Sequence, residues 1–204
     1  MSAAARTVTK GAATRELILD RAYGLACREG LEGLSIGGLA AEVGMSKSGV
    51  FAHFGSREDL QLAVLDNAGR RFVEHVMVPA LPAPRGVARL RALMDRWFDW
   101  ARHRDDGGCI FLAAANEYDD RPGPLRDRVI AQMERWRSEL ARAASLAIET
   151  GELARGTDVE QLAFELYALA LVVHHDAGLR GYDIAYERGM RAFDRLVDAN
   201  SPTA

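Results

Sequence analysis

The segment Ser35–Phe54, SIGGLAAEVGMSKSGVFAHF, constrains this chain more than any other. Its apolar residues form two short helical patterns, at about 36–43 and 47–53, separated by Val43-Gly44-Met45-Ser46. Ile36, Leu39, Ala40 and Val43 share one face of the first helix, and Val50 and Phe54 share one face of the second. A glycine in the turn lets the backbone reverse without a Cβ penalty, and Ser46 can cap the second helix. Two short helices joined so tightly read as a helix-turn-helix, whose second helix enters the major groove of DNA. Lys47, Ser48, Phe51 and His53 then lie off the buried face, and two of the four are good phosphate or base partners.

The remaining chain is helical throughout, and no alternating strand pattern competes. Residues 14–29 place Ile18, Ala22 and Leu25 on one stripe, with Thr14 at the N-cap and Gly30 just past the end. Ser56 opens a fourth helix carrying Leu60, Val64, Ala68 and Phe72, which is expected to run to about 77 and stop at Pro79. PALPAPRG (79–86) reads as a linker-like loop, and breaks follow at HRDDGG (103–108) and DDRPGP (119–124). Helices are expected at about 86–103, 109–118 and 124–149. Thr157-Asp158-Val159-Glu160 matches a capping box opening a helix to about 178, Gly178 and Gly181 bracket a turn, and a last helix covers about 183–198. The expected fold is all-α. A flexible arm (1–13) precedes a three-helix helix-turn-helix domain (14–56), a connecting helix (57–78), and a helical ligand-binding and dimerisation domain (79–204).

The net charge of −3 speaks against non-specific binding to nucleic acid. Positive charge is nevertheless local: residues 1–15 carry Arg6, Lys10 and Arg15 without an acid, and residues 46–57 carry Lys47 and Arg57 without one. Cys27 and Cys109 are far apart with no CxxC spacing, so a disulfide framework is not expected, which suits a reducing cytoplasm. The N-terminus has no apolar signal region, and no apolar run is expected to reach membrane-spanning length. His174, His175 and Asp176 are adjacent, so they point about 100° apart on a helix and do not converge on a metal. No cofactor is expected. Neither a Gly-x-Ser-x-Gly elbow nor a P-loop nor a dinucleotide fingerprint is present, which leaves only a weak enzyme reading on Asn116, Glu117, His174 and His175. Cys109 follows Gly107-Gly108 at a helix start, where a thiol is either activated as a redox sensor or simply buried.

Several signals recur in fixed order between Thr14 and Leu65. They are the glycine after the first helix, the Ser-Ile opening of the second, the Gly-Met-Ser-Lys turn, and the passage His-Phe-Gly-Ser-Arg-Glu-Asp-Leu. Over these roughly 50 residues the chain resembles the N-terminal domain of the TetR family of repressors. The remaining two thirds resemble that family only in length and helical layout. The resemblance implies that Ser35 binds a phosphate, that Ser46, Lys47 and Ser48 lead the recognition helix into the major groove, and that His53 and Arg57 hold the DNA backbone. Two positions depart from the family pattern. Phe51 stands where a phosphate-binding tyrosine is usual, leaving it to pack on a thymine methyl, on a sugar or against its own domain. Gly49 stands where threonine is common, so a base contact is missing there. Gly37 and Gly38 are also unusual inside a helix, at roughly 1 kcal/mol each relative to alanine.

All three tryptophans lie between 86 and 178, among Phe98, Phe111, Tyr118, Phe164 and Tyr167. An apolar cavity with a few polar anchors is what a small-molecule site needs. The expected ligand set is Trp97, Trp100, Phe111, Asn116, Glu117, Trp136, Tyr167 and His174, for an apolar or aromatic effector; the alternative is plain core packing. Between Gln161 and Val173 the only charge is Glu165, and a helix apolar nearly all round must be covered on two sides. Leu162, Leu166, Leu169 and Val173, with Tyr186, Met190, Phe193 and Val197, are the expected interface of a homodimer, whose two-fold axis suits a palindromic operator. The expected function is a repressor released from DNA by its ligand; a co-repressed regulator or an activator is the alternative.

Overall fold

The computed structural model describes residues 10–100, 102 and 108–202, and among these the secondary structure is entirely helical. Helix α1 (Lys10–Glu29) begins before Thr14, whose hydroxyl donates back to the Lys10 carbonyl at 2.9 Å as hydroxyls do inside helices. Thr14 is therefore not a cap, and residues 10–13 of the expected arm are helical; residues 1–9 lie outside the described residues. Helices α2 (Ile36–Glu42) and α3 (Lys47–Phe54) start at Ser35 and Ser46, whose side chains accept from Gly38 N and Gly49 N, both at 3.1 Å. Leu39, Ala40, Val50 and Phe54 are buried against Ile18, Leu31 and Leu34, while Ile36 and Val43 sit half-buried at the rim.

Helix α4 (Arg57–Phe72) is capped by Ser56, which takes Asp59 N at 2.9 Å. Pro79 does not stop it. A π-helical turn, Val73–Met77, leads directly into the single turn α5 (Val78–Ala80). Proline lacks an N–H and its ring would strike the carbonyl four residues back; a widened turn just before it gives the ring room, and Val78 N reaches back to Val73. The loop expected at 79–86 therefore shrinks to 81–86. Helix α6 (Val87–Trp100) follows, its start stabilised by Glu152, which accepts from Val87 N at 3.1 Å.

Helices α7 (Ile110–Tyr118), α8 (Pro124–Glu149), α9 (Val159–Arg180) and α10 (Tyr182–Ala199) complete the chain. Asp158, not Thr157, caps α9, accepting from Glu160 N at 3.1 Å and Gln161 N at 3.0 Å. Gly178 lies inside α9, and Gly181 alone separates α9 from α10. The two helices pack closely at Gly189, where a Cβ would stand 2.4 Å from Val173 Cγ2. Contrary to expectation, α9 is long and apolar enough to cross a membrane; here it packs along α8 and α10 and buries Leu162, Ala163, Leu166, Tyr167, Ala170 and Val173.

Two cores result. One joins α6, the second half of α8, α9 and α10 with Val76 and Ala80. The other joins α1 to α4 and also takes Ile110, Ala114 and Tyr118 of α7 and Leu125 and Val129 of α8. The first three helices are thus built onto α7 as well as onto α4.

Candidate nucleic-acid interface and ligand site

Lys47, Ser48, Phe51 and Ala52 form the exposed surface of α3, while Val50 and Phe54 are buried. Phe51 is 53 % exposed and does not pack into the domain. With Ile36, Lys47, Ser48 and Ala52 it lines a shallow hollow. The Lys47 side chain lies across the first turn of α2: a Cβ on Gly37 would meet Lys47 Cε at 3.0 Å. The absent side chain of Gly37 thus brings the Lys47 ammonium beside α2, whose cap is the exposed Ser35. Ser46 and Ser48 share a hydroxyl hydrogen bond at 3.1 Å. Gly49 faces that cap, since a Cβ there would stand 3.2 Å from Ser46 Oγ and 3.3 Å from Met45 Cε. His53 is half-buried in the last turn of α3.

Arg57, expected to hold the DNA backbone, is exposed and is also bound within its own domain. Its Nε donates to Leu34 O at 2.8 Å, and its Nη2 donates to Glu32 O and pairs with Glu32 Oε2 at 3.1 Å. The guanidinium is turned onto the α1–α2 turn, where three fixed acceptors suit its planar fork.

Glu117 corrects the expected ligand set, for it does not line the aromatic cavity. Its Oε2 accepts from Leu31 N at 3.0 Å and Glu32 N at 3.2 Å, bridging α7 to the α1–α2 turn. Successive backbone N–H groups in such a turn form a nest for an anion. Only glycine serves at position 30: φ is +80°, and a Cβ would stand 2.0 Å from Glu117 Oε1. Tyr118 donates to Glu32 Oε1 at 2.8 Å, Arg121 reaches the same oxygen at 3.4 Å, and buried Gln61 donates to Leu31 O at 2.7 Å. Donation from the Tyr118 hydroxyl and from Arg57 holds the Glu32 carboxyl below the usual glutamate range. Side chains of α4 and α7 therefore grip this turn together. Nothing in the periodicity signals it, because the partners lie 85 and 86 residues apart.

Of the expected ligand residues, Trp97, Phe111, Trp136 and Tyr167 converge with Phe72, Leu112, Gln132 and Met133. Ring centroids stand 4.9 Å apart for Phe72–Trp136 and for Trp97–Trp136, and 5.5 Å for Trp97–Tyr167. The free volume among them is only about 40 Å³. A drug-sized ligand needs roughly 300 Å³ or more, so this chamber is too narrow for one as it stands. Cys109, Leu112, Met133 and Tyr167 also border an open vestibule of about 660 Å³, which Asn116 and His174 line. Cys109 N donates to His174 Nε2 at 3.4 Å. Trp100 packs edge-on against Phe72, ring centroids 6.0 Å apart, and lines a neighbouring cavity with Tyr23, Arg71, His75 and Arg96. Trp136 Nε1 is buried without a hydrogen-bond partner among the described residues. Burial pushes the Cys109 thiol up in pKa, outweighing the opposing α7 N–H groups and Trp100, so it is not an activated thiolate. Neither cysteine is disulfide-bonded. Among the described residues no cluster of three metal-ligating side chains occurs.

Five of the expected interface residues are a further correction. Leu162, Leu166, Val173, Phe193 and Val197 are closed within the protomer core. Leu169 and Met190 pack against that core, and Tyr186 donates to Asp95 of α6. Helix α9 is apolar on both sides, and the stripe read as outward is the one that meets α8 and α10. Its outer side carries Phe164, Val172 and Leu179, which are 55, 60 and 72 % exposed, beside Ile184 of α10 at 50 %.

Residues 18–64 match the family described as bacterial regulatory proteins, tetR family, and residues 86–193 match the tetracyclin repressor-like C-terminal domain. The chain belongs to the TetR family. It is a DNA-binding transcriptional regulator with the all-helical, two-part fold of that family. A TetR transcriptional regulator from Chloroflexus aurantiacus J-10-FL is 29 % identical and superposes with a TM-score of 0.82, over 93 % of this chain and 94 % of that one. A TetR-family regulator from Cytophaga hutchinsonii shares the fold at 18 % identity and a TM-score of 0.83, over 98 % of this chain and 100 % of that one. AibR, solved in complex with isovaleryl coenzyme A and operator DNA, shares it at 24 % identity and 0.67, over 93 % and 99 %. No curated protein matches the chain. In this TetR-family regulator α1 to α3 form the DNA-binding unit, and α4 and α7 join it to the rest.

Proposed function

We propose that this TetR-family regulator works in the cytoplasm as a homodimeric repressor, bound to a palindromic operator until an apolar or aromatic small molecule releases it. The observation that carries this reading is the narrow aromatic chamber. Its walls include Phe72 of α4 and Phe111 and Leu112 of α7, on the two helices that hold the DNA-binding unit. A ligand larger than about 40 Å³ has to displace these walls. Motion of α7 pulls on Glu117 and Tyr118, and so on the α1–α2 turn. The ligand then favours an arrangement in which the recognition helices no longer fit successive major grooves; its differential affinity for the two arrangements sets the size of the response. Trp136 Nε1, buried and unpartnered, offers a donor to a ligand acceptor once the chamber opens. In AibR the same fold has been seen with both a coenzyme A thioester and operator DNA. A second copy covers the outer face of α9. An enzymatic role gains no support, because Glu117 is committed to main-chain amides.

Lys47 tests the DNA half of this reading. Lys47→Ala should weaken operator binding and lower the salt slope by about one unit per half-site, as expected for one lost phosphate contact. The measurement is operator affinity across a salt titration for both proteins. An unchanged slope would remove Lys47 from the interface.

A further inference from the structure

Resting on the DNA-binding reading, we infer that the hollow between Ile36 and Phe51 receives the 5-methyl group of one thymine in each operator half-site, making Phe51 a specificity-determining residue. The ring has no hydrogen-bonding group, so it can grip neither a phosphate nor a polar base edge. It is nevertheless 53 % exposed at the middle of α3, on the flank of the face that buries Val50 and Phe54. Its neighbours on that face, Ser48 and Ala52, are small, so the ring stands proud of the helix. Ile36 of α2 supplies a second apolar wall, and Lys47 and Ser48 supply a polar rim. An apolar hollow with a polar rim, carried on the helix that enters the major groove, has one complementary feature there. The thymine methyl is the apolar group the groove offers among donors and acceptors. The sugar-phosphate walls are left to Lys47, which leans over Gly37 toward α2.

The test uses an operator duplex recovered by selection from a random DNA pool with the full-length protein. Each thymine is then replaced singly by deoxyuridine, which removes the methyl and nothing else. Wild type should lose affinity roughly fourfold per half-site at one symmetry-related position, the loss expected for one apolar carbon left in water. Phe51→Ala, at an exposed position that leaves the core intact, should bind thymine and deoxyuridine equally there. Phe51→Leu should retain part of the preference. The same thymine preference in Phe51→Ala would assign the methyl to another residue and overturn the inference. So would uniform indifference to deoxyuridine alongside weaker binding of Phe51→Ala to every sequence, which places the ring on a sugar. Failure to enrich any sequence would instead refute the operator reading beneath it.

Discussion

Val172→Glu should turn a dimer into a monomer and abolish tight operator binding. Val172 is 60 % exposed on the outer face of α9, between Phe164 and Leu179, so the protomer itself tolerates a charge there. A two-fold interface places the new carboxylate near its own copy, and burying an unpaired charge costs several kcal/mol. Roughly 4 kcal/mol is about a thousandfold in the dimer constant. A monomer engages one half-site, so operator affinity should fall by at least about 100-fold. Sedimentation equilibrium and operator titration measure the two effects, and a thermal melt confirms folding. Leu166→Glu behaves differently: Leu166 is wholly buried within the protomer, and the charge should unfold the chain rather than split a dimer. If Val172→Glu remains dimeric and binds operator normally, the interface lies elsewhere.

Gly30→Ala should destabilise the wild-type protein by about 2–4 kcal/mol, but by only about 1–2 kcal/mol when Glu117 is already alanine. The left-handed conformation at φ +80° disfavours any Cβ by about 1–2 kcal/mol whatever stands opposite. In the wild type the new methyl also collides with Glu117 Oε1, expelling a carboxylate that accepts two backbone N–H groups. Charge-assisted bonds contribute about 1.5–3 kcal/mol each when buried, and less here because the Glu32 amide reaches solvent. Urea unfolding of the four proteins in the cycle reads the difference. Strictly additive costs would show that the carboxylate is not seated in the turn. Glu117→Ala alone should also speed hydrogen exchange at Leu31 and Glu32.

The helix-turn-helix was legible because its evidence is local: Ser35 and Ser46 cap where their residue type says they should, and Val50 and Phe54 bury as their spacing requires. Helix ends without a distinctive signal were misplaced. Asp158 and Thr157 are both competent caps; Asp158 takes the role while the Thr157 hydroxyl donates to Asn200 O at 3.4 Å. Pro79 was read as a stop because a π turn that accommodates its ring leaves no mark in composition. The two sides of α9 are so alike that periodicity does not tell which one faces the protomer core; hence Leu166, expected at a partner's surface, is buried within its own chain. Glu117 sits among aromatic residues in sequence, yet in space it belongs to a turn 85 residues away. Contacts of that range decide which polar groups tie α7 to the α1–α2 turn.

The central claim, a dimer reading two related half-sites, is tested most directly by selecting DNA from a random duplex pool with the purified protein and weighing the resulting complex in the ultracentrifuge. The account predicts an inverted repeat whose half-site centres lie about one helical turn apart, or a small multiple of it, bound by an even number of chains. An enriched asymmetric site carrying a single chain would contradict it.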